Sequence, residues 1–271
     1  MVAEDPADLP SYDELYDLAR EVAVGAAALV ADRRAAGVEV VATKTSPTDV
    51  VTEVDRVCEE WISRRLLGAR PLDGVVGEEG AATSSSSGVT WVVDPIDGTV
   101  NFLYGIPMYA VSVAARIGAD IVAGVVVDVV RREVFSAMRG GGAFLDDRPI
   151  TVRRAVPLSQ RLVLTGFSYE REIRTQQARA VARLLPEVRD IRRLGSAALD
   201  LCHLGSGRAD GYVEEGLHDW DLAAGGLVAE EAGARVEIRA GVGGKACVVA
   251  APADGFAEFA DLVERVGFLR E

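Results

Sequence analysis

The chain has 271 residues, enough for one or two domains, and 49% of them are hydrophobic, which excludes a disordered chain. Its formal net charge of −13 disfavours nucleic acid or an anionic membrane surface as the main partner, because basic patches bind both. The three cysteines are isolated and form no CxxC pair, so we expect a reduced, cytoplasmic compartment. We predict no signal peptide, because the N-terminus lacks a basic region followed by an apolar stretch.

The first part of the chain predicts two helices. Ser11 and Glu14 have the spacing of a capping box, and apolar residues at helical spacing then continue to about Ala36. A second amphipathic helix is predicted over 48–67. The segment 80–88 is rich in Ser and Ala and predicts a mobile loop.

The rest of the chain mixes strands with helices. Further helices are predicted over 170–184, from Ser196 to about 204 and from Asp219 or Asp221 to near 233, with a final helix that Asp254 caps. This mixture predicts an α/β layered architecture with two sheets. No linker is evident, so we expect one domain over 1–271, with an α+β subdomain at about 8–150 and an α/β subdomain at about 151–271. The predicted strands are 75–76, 91–93, 110–116, 121–127, 133–137, 143–145, 161–165, 189–194, 209–213, 236–238 and 246–250.

An acidic motif follows the predicted strand 91–93. Asp94 and Asp97 are three residues apart, a spacing that can direct both carboxylates into one pocket across a strand-to-helix turn. Pro95 fixes a backbone angle, Gly98 leaves space for a phosphate, and Thr99 supplies a hydroxyl. The alternative is a type I turn, with Asp97 as a helix N-cap.

Two further acidic positions repeat this feature. Glu78 and Glu79 directly follow the predicted strand 75–76, although a Glu pair between glycines is also typical of a solvated turn. Asp221 precedes a run of small residues, where an N-cap is the alternative role. Asp219 adds a carboxylate that either strengthens the local field or faces water.

Convergence of these groups would require a cation. Two carboxylates about 4 Å apart repel by about 4 kcal/mol at an effective dielectric near 20, so four of them would take up protons or bind metal. Oxygen ligands favour magnesium. The sequence has no His or Cys cluster suited to zinc, and His203 lies inside a predicted helix, where we expect a structural role.

Five ordered blocks resemble the inositol monophosphatases, most closely the actinobacterial members of the SuhB type. The resemblance extends from about Lys44 to Ala251 and implies the layered αβαβα sandwich of the sugar phosphatases, commonly dimeric. It also implies inhibition by lithium. The matching blocks are 44–55, which opens with Lys44-Thr45-Ser46-Pro47-Thr48-Asp49, then 77–79, 94–102, 195–200 and 221–233 with the preceding Trp220.

The resemblance implies two or three magnesium ions per site. Their expected ligands are Glu78, Asp94, Asp97, Asp221 and the carbonyl of Ile96, with Glu79 at the rim beside a weaker ion. Thr99, oriented by Asp55, resembles the group that positions the attacking water together with Glu78. Lys44 is a further candidate because it opens the first matching block. The expected substrate contacts are Asp97, Gly98, Thr99, Arg193, Gly195, Ser196, Ala197 and Glu214.

The resemblance implies hydrolysis of myo-inositol monophosphate to inositol and phosphate by metal-activated water. An alternative of the same fold is a histidinol-phosphate or broader sugar-phosphate phosphatase, since Glu214 suits a polyol hydroxyl but would also pair with an amine. A hypothesis of a different class is a non-enzymatic regulatory binding protein. We expect a small phosphorylated polyol as substrate and a homodimer as the assembly.

Overall fold

The computed structural model describes residues 9–36, 40–43 and 50–270, so the candidate Lys44 lies outside the described residues. Seven α-helices and fifteen strands occur in this part of the chain. The helices are α1 Tyr12–Ala36, α2 Glu53–Ala69, α3 Thr99–Tyr104, α4 Arg171–Leu184, α5 Ala197–Gly205, α6 Asp219–Glu231 and α7 Phe256–Arg265. The strands are β1 Val40–Thr43, β2 Val50–Thr52, β3 Gly74–Gly77, β4 Ala82–Thr83, β5 Val89–Asp97, β6 Ala110–Ile117, β7 Asp120–Asp128, β8 Val134–Met138, β9 Gly142–Leu145, β10 Arg148–Ile150, β11 Leu162–Thr165, β12 Asp190–Arg192, β13 Gly211–Glu215, β14 Ala234–Ala240 and β15 Ala246–Pro252.

The start of each N-terminal helix is set by a capping box. The Ser11 N–H donates to Glu14 Oε2 at 3.1 Å and the Glu14 N–H to Ser11 Oγ at 3.3 Å, and the helix ends at Ala36 as predicted. The second helix begins later than predicted, because residues 50–52 pair with β1 as a strand. Thr52 then forms a capping box with Asp55.

The strands form two large sheets. The eight-stranded sheet has the order β10-β9-β8-β7-β6-β5-β3-β4 and the five-stranded sheet β12-β11-β13-β15-β14. In the first sheet β5 lies between β3, to which it is parallel, and β6, to which it is antiparallel. Strand β5, which carries the acidic motif, is therefore hydrogen-bonded on both sides.

Helices and sheets alternate in five layers. Helices α1 and α2 bury their apolar faces on one side of the eight-stranded sheet, α5 and α6 pack between the two sheets, and α4 and α7 cover the far side of the five-stranded sheet. The sequence-based prediction of an αβαβα sandwich is confirmed. Representative buried residues, from the first helical layer to the last, are Leu15, Ile62, Trp91, Val113, Leu199, Leu227, Tyr212, Val249, Leu184 and Phe259.

The two sheets take their strands from successive parts of the chain. The eight-stranded sheet ends with β10 and the five-stranded sheet begins with β11. This division agrees with a subdomain boundary near residue 150, which stays a prediction.

Among the described helices, none combines the length and the apolar character that crossing a bilayer requires.

Three local predictions were wrong. Strand β5 continues through Asp97 instead of ending at residue 93. The segment 80–88 is not a loop throughout, because it contains the short strand β4, and Ser87 donates a hydrogen bond of 2.6 Å to the buried Asp73. Helix α7 follows a 3-10 turn with Gly255 at its N-cap, while Asp254 accepts a hydrogen bond from the Ala155 N–H at 3.3 Å.

Candidate active site

Parallel pairing of β3 with β5 brings the first two acidic motifs together. Gly77 pairs with Val93 in the register, so Glu78, the residue directly after β3, comes beside Asp94 of β5. A side-chain hydrogen bond between these two groups contributes to a raised pKa at Asp94. The motifs therefore converge because β3 and β5 are adjacent and parallel, with the end of β3 in register with Val93.

A β-bulge in β5 places Asp94 and Asp97 on the same side. Asp94 pairs with Ser112 of β6 and Asp97 with Ala110, so three residue steps on β5 oppose two on β6. In a regular strand, residues three apart point to opposite faces, and one extra residue cancels that alternation. The Ile96 N–H donates to Asp94 Oδ1 at 3.0 Å within this bulge.

Asp221 completes an acidic cluster with these two residues. It lies in the first turn of α6, where its Oδ2 accepts the His218 N–H at 2.7 Å. One carboxylate oxygen each from Asp94, Asp97 and Asp221 lie within 4.8 Å of one another. The first two side chains are 1% and 7% exposed, so solvent compensates little of their charge.

The electrostatics of this cluster fit a divalent cation. Burial, reinforced by the charges of Glu78, Asp97 and Asp221, raises the pKa of Asp94 well above its usual range. Burial and the charge of Asp97 do the same at Asp221, and burial raises the pKa of Asp97 to about 6. A cation among these oxygens would favour the ionised forms, and an all-oxygen donor set suits magnesium.

The carboxylate of Asp97 is also hydrogen-bonded to the start of α5. Its Oδ2 accepts the Ser196 hydroxyl at 2.6 Å and the Ala198 N–H at 2.7 Å, and its Oδ1 accepts the Ala197 N–H at 3.3 Å. Negative charge is favoured at a helix N-terminus. The central helical layer thus fixes the orientation of a carboxylate that the first sheet supplies.

A hydroxyl lies beside the cluster on α3. Thr99 Oγ1 is 3.1 Å from Asp55 Oδ1 and 3.0 Å from the Ile96 carbonyl oxygen, and its single proton serves one acceptor at a time. Asp55 is fully buried, and its other oxygen accepts the Thr52 N–H at 2.9 Å. Burial raises the pKa of Asp55 to about 6.

These groups open into a pocket of about 240 Å³. Of the candidates, Asp55 lies behind the wall and Glu79 on the turn outside it, and neither lines the pocket. Glu214 also lines the pocket; its Oε2 accepts the Tyr212 hydroxyl at 2.9 Å, and burial raises its pKa to about 7. The candidates that do line the pocket are Glu78, Asp94, Ile96, Asp97, Gly98, Thr99, Arg193, Gly195, Ser196, Ala197, Glu214 and Asp221.

Sequence reasoning missed the outer part of this pocket. Phe167, Tyr169 and Glu170 line it from the loop before α4, and Lys245 lines it from the β14–β15 turn. Lys245 Nζ forms an ion pair of 2.5 Å with Glu170. No strand-end motif marks these positions, because only tertiary packing brings them to the pocket.

Asp219, whose role the sequence left open, is exposed and pairs with Arg116 at 3.0 Å.

Comparisons with known proteins identify the family. The family model described as "Inositol monophosphatase family" matches residues 11–260. The chain belongs to this family. It is similar to "Inositol-1-monophosphatase SuhB" of Mycobacterium tuberculosis, with 48% identity over 259 residues, covering 88% of this chain and 89% of the relative. The chain is accordingly a phosphatase, a hydrolase of phosphorylated substrates.

Two further relatives extend the comparison. The solved structure of Mycobacterium tuberculosis SuhB superimposes on this phosphatase with a TM-score of 0.83 at 43% identity, covering 96% of this chain and 99% of the other. "Nus factor SuhB" of Pasteurella multocida is 40% identical over 196 residues, covering 72% of this chain and 73% of the relative. Relatives of this phosphatase therefore carry two different names, inositol-1-monophosphatase and Nus factor.

Proposed function

We propose that this phosphatase is a magnesium-dependent phosphomonoesterase that hydrolyses myo-inositol monophosphate to inositol and phosphate. The observation that carries the proposal is the convergence of the Asp94, Asp97 and Asp221 oxygens within 4.8 Å at the base of a pocket. The family name and the 48% identical mycobacterial relative support the substrate.

Five groups would hold two or three magnesium ions. They are the carboxylates of Glu78, Asp94, Asp97 and Asp221 and the carbonyl of Ile96, with Glu79 beside a weaker third ion. When bound, magnesium supplies a Lewis acid that lowers the pKa of the attacking water and neutralises charge developing on the phosphoryl and leaving oxygens.

The remaining groups orient the reactants. When the Thr99 hydroxyl donates its hydrogen bond to Asp55, the Thr99 oxygen would be free to accept a hydrogen bond from the attacking water. Glu78 would position the same water from the end of β3. The N–H groups of Gly98 and Thr99 would face the phosphate. Positioning of this kind suits phosphoryl transfer, in which the protein forms no covalent intermediate.

The alcohol would occupy the outer half of the pocket. Glu214 would accept hydrogen bonds from ring hydroxyls, and Arg193 with the segment Gly195–Ala197 would border the ring. Because a carboxylate also pairs with an amine, histidinol phosphate is the alternative within the same chemistry.

The test of this proposal is phosphate release from a panel of monoesters. Inositol monophosphate, histidinol phosphate and several sugar phosphates are compared with magnesium, with chelator and with lithium. We expect the highest kcat/KM for inositol monophosphate, no turnover with chelator, and inhibition by lithium. Strong preference for histidinol phosphate would overturn the substrate assignment, while turnover in chelator would overturn the mechanism.

The variant Asp94→Asn tests the ligand role. We expect it to fold but to lose turnover, since it removes one charge from the centre of the cluster. Asp120→Asn, an exposed carboxylate at the start of β7, is the matched control and keeps activity. Turnover by Asp94→Asn at saturating magnesium would contradict the assignment.

A regulatory role is the second candidate, favoured by the relative named Nus factor SuhB. Its test is capture of a partner by the wild type and by Asp94→Asn. Capture that persists in the inactive variant supports a role independent of catalysis, and the absence of any partner removes this candidate.

The homodimer and the cytoplasmic location also remain predictions, which sedimentation velocity and cell fractionation check.

A further inference from the structure

Glu59 is a buried carboxylate of α2 that faces the end of the eight-stranded sheet. It lies one helical turn after Asp55, so both project from one side of α2 towards the strand ends. Asp55 reaches Thr99, whereas Glu59 reaches the turn that follows β3. Its side chain is only 5% exposed, although a carboxylate is costly to bury without partners.

The backbone N–H groups of Glu79 and Ala81 supply those partners. Glu59 Oε2 accepts the Glu79 N–H at 2.7 Å, and Oε1 accepts the Ala81 N–H at 2.8 Å. The same turn is closed by the Gly77 N–H, which donates to the Ala81 carbonyl at 2.8 Å. Among the described residues, no ion pair to Glu59 is found, so N–H groups provide its charge-assisted bonds.

Gly77 fits closely over this carboxylate. A Cβ added at Gly77 would lie 2.3 Å from Glu59 Oε2 and 2.5 Å from its carboxyl carbon. Any side chain at residue 77 would therefore displace Glu59 or the turn. Residue 77 must therefore be a glycine, because the Glu59 carboxylate lies where a side chain would begin.

We propose that Glu59 is a positioning residue that holds the 77–81 turn in the conformation in which Glu78 and Glu79 receive divalent cations. This inference rests on the proposed function, which assigns both residues to the metals. Glu78 lies beside Asp94, so a small movement of the turn changes the spacing of the cluster. Because Glu59 already holds the turn before a cation binds, binding does not have to order it. The entropy cost of ordering the turn is then not subtracted from the free energy of metal binding.

The variant Glu59→Gln tests this role against Glu60→Gln, its exposed neighbour, which pairs with Arg64. A glutamine keeps one acceptor oxygen but presents an NH₂ donor to the other N–H group. In calorimetric titration with Mg²⁺ and Mn²⁺ without substrate, we expect Glu59→Gln to bind about tenfold or more weakly and Glu60→Gln to match the wild type. At saturating metal, Glu59→Gln should regain most of its kcat and keep its KM for substrate.

The variant Gly77→Ala is a second arm that leaves Glu59 in place. The new methyl group should push the carboxylate from the turn and weaken metal binding to a similar degree. Combining it with Glu59→Gln should add little further loss, because both changes break one contact. Amide hydrogen exchange gives a readout independent of turnover: the Glu79 and Ala81 N–H groups should exchange faster in either variant.

The outcomes separate the two proposals. If the wild type binds no divalent cation, the proposed function fails, and this inference fails with it. If the wild type binds metal and Glu59→Gln binds it equally well, with Glu79 and Ala81 still protected, only the role of Glu59 is overturned. A general loss of thermal stability in Glu59→Gln with unchanged metal affinity also overturns it, because that is the result of a purely structural contact.

Discussion

At the scale of single residues, Ser196 links the acidic cluster to the central helices. Its hydroxyl donates a hydrogen bond to Asp97 and accepts one from the Leu199 N–H at 3.4 Å. Ser196 therefore both caps α5 and orients Asp97, a proposed metal ligand. We expect Ser196→Ala to lower stability by about 1 kcal/mol through loss of the cap and kcat/KM by about tenfold through a misoriented Asp97. Urea unfolding and steady-state kinetics measure the two effects.

The control for Ser196→Ala lies at the other end of the same helix. The Ser206 hydroxyl donates to the His203 carbonyl at 3.3 Å and has no contact with the cluster. Ser206→Ala should change stability slightly and activity not at all. A stability loss in Ser196→Ala without any change in kcat/KM would show that Asp97 does not need this donor.

His203 is a second residue whose environment makes a prediction. Its ring is 7% exposed and packs edge-on against Phe135, and burial together with Arg208 lowers its pKa to about 4. In the unfolded chain the imidazole binds a proton near pH 6.5, so above that pH His203 contributes its full share to the free energy of unfolding. This contribution falls by roughly 3 kcal/mol as the pH drops from about 6.5 to 4, because only the unfolded state takes up the proton in that range.

The measurement for His203 is a difference between two unfolding curves. His203→Gln removes the titrating group, so the free energy of unfolding of the wild type relative to this variant should decrease as the pH falls from 6.5 to 4. The NMR signals of His203 should show no titration above about pH 5. A titration midpoint near 6.5 would contradict the buried, neutral state.

At the scale of elements, β5 and the residue after it make the site. Gly98 has φ +99°, and an added Cβ would lie 3.0 Å from the carbonyl oxygens of Gly195 and Met108. We expect Gly98→Ala to destabilise the protein by more than about 1 kcal/mol and to remove most activity. Gly68→Ala, where the new methyl group meets nothing within 4 Å, is the control and should be neutral or slightly stabilising. Equal stability of both variants in urea would contradict this account.

Strand β5 also shows where reasoning from sequence stops. The acidic motifs could be predicted because apolar strands lead directly into Glu78 and Asp94. The bulge could not, because Pro95 and the Asp spacing fit a turn equally well until the register with β6 is known. The Val-Val-Thr segment of β2 joins an amphipathic pattern that predicts a helix, whereas its pairing with β1 makes it a strand. Glu59 resembled any solvated helix charge, since its partners are backbone N–H groups distant in sequence.

At the scale of the whole molecule, the acidic cluster joins separate layers. Asp94 and Asp97 come from the eight-stranded sheet and Asp221 from α6, while Asp97 also contacts the start of α5. Burial and repulsion from neighbouring carboxylates raise the pKa of all three carboxyl groups, so without a cation the cluster opposes the packing of these layers. Stability of the whole fold should therefore depend on divalent metal.

We expect magnesium to raise the unfolding temperature of the wild type, because a ligand that binds only the folded state stabilises it by about 2.7 kcal/mol at one hundred times its Kd. Asp94→Asn should be at least as stable as the wild type in chelator, since it relieves repulsion, and should gain much less stability from magnesium. Asp120→Asn should respond like the wild type. Thermal unfolding with MgCl₂, and with NaCl at matched ionic strength, separates specific binding from screening. An equal gain in Asp94→Asn and the wild type would show that magnesium acts elsewhere on the molecule.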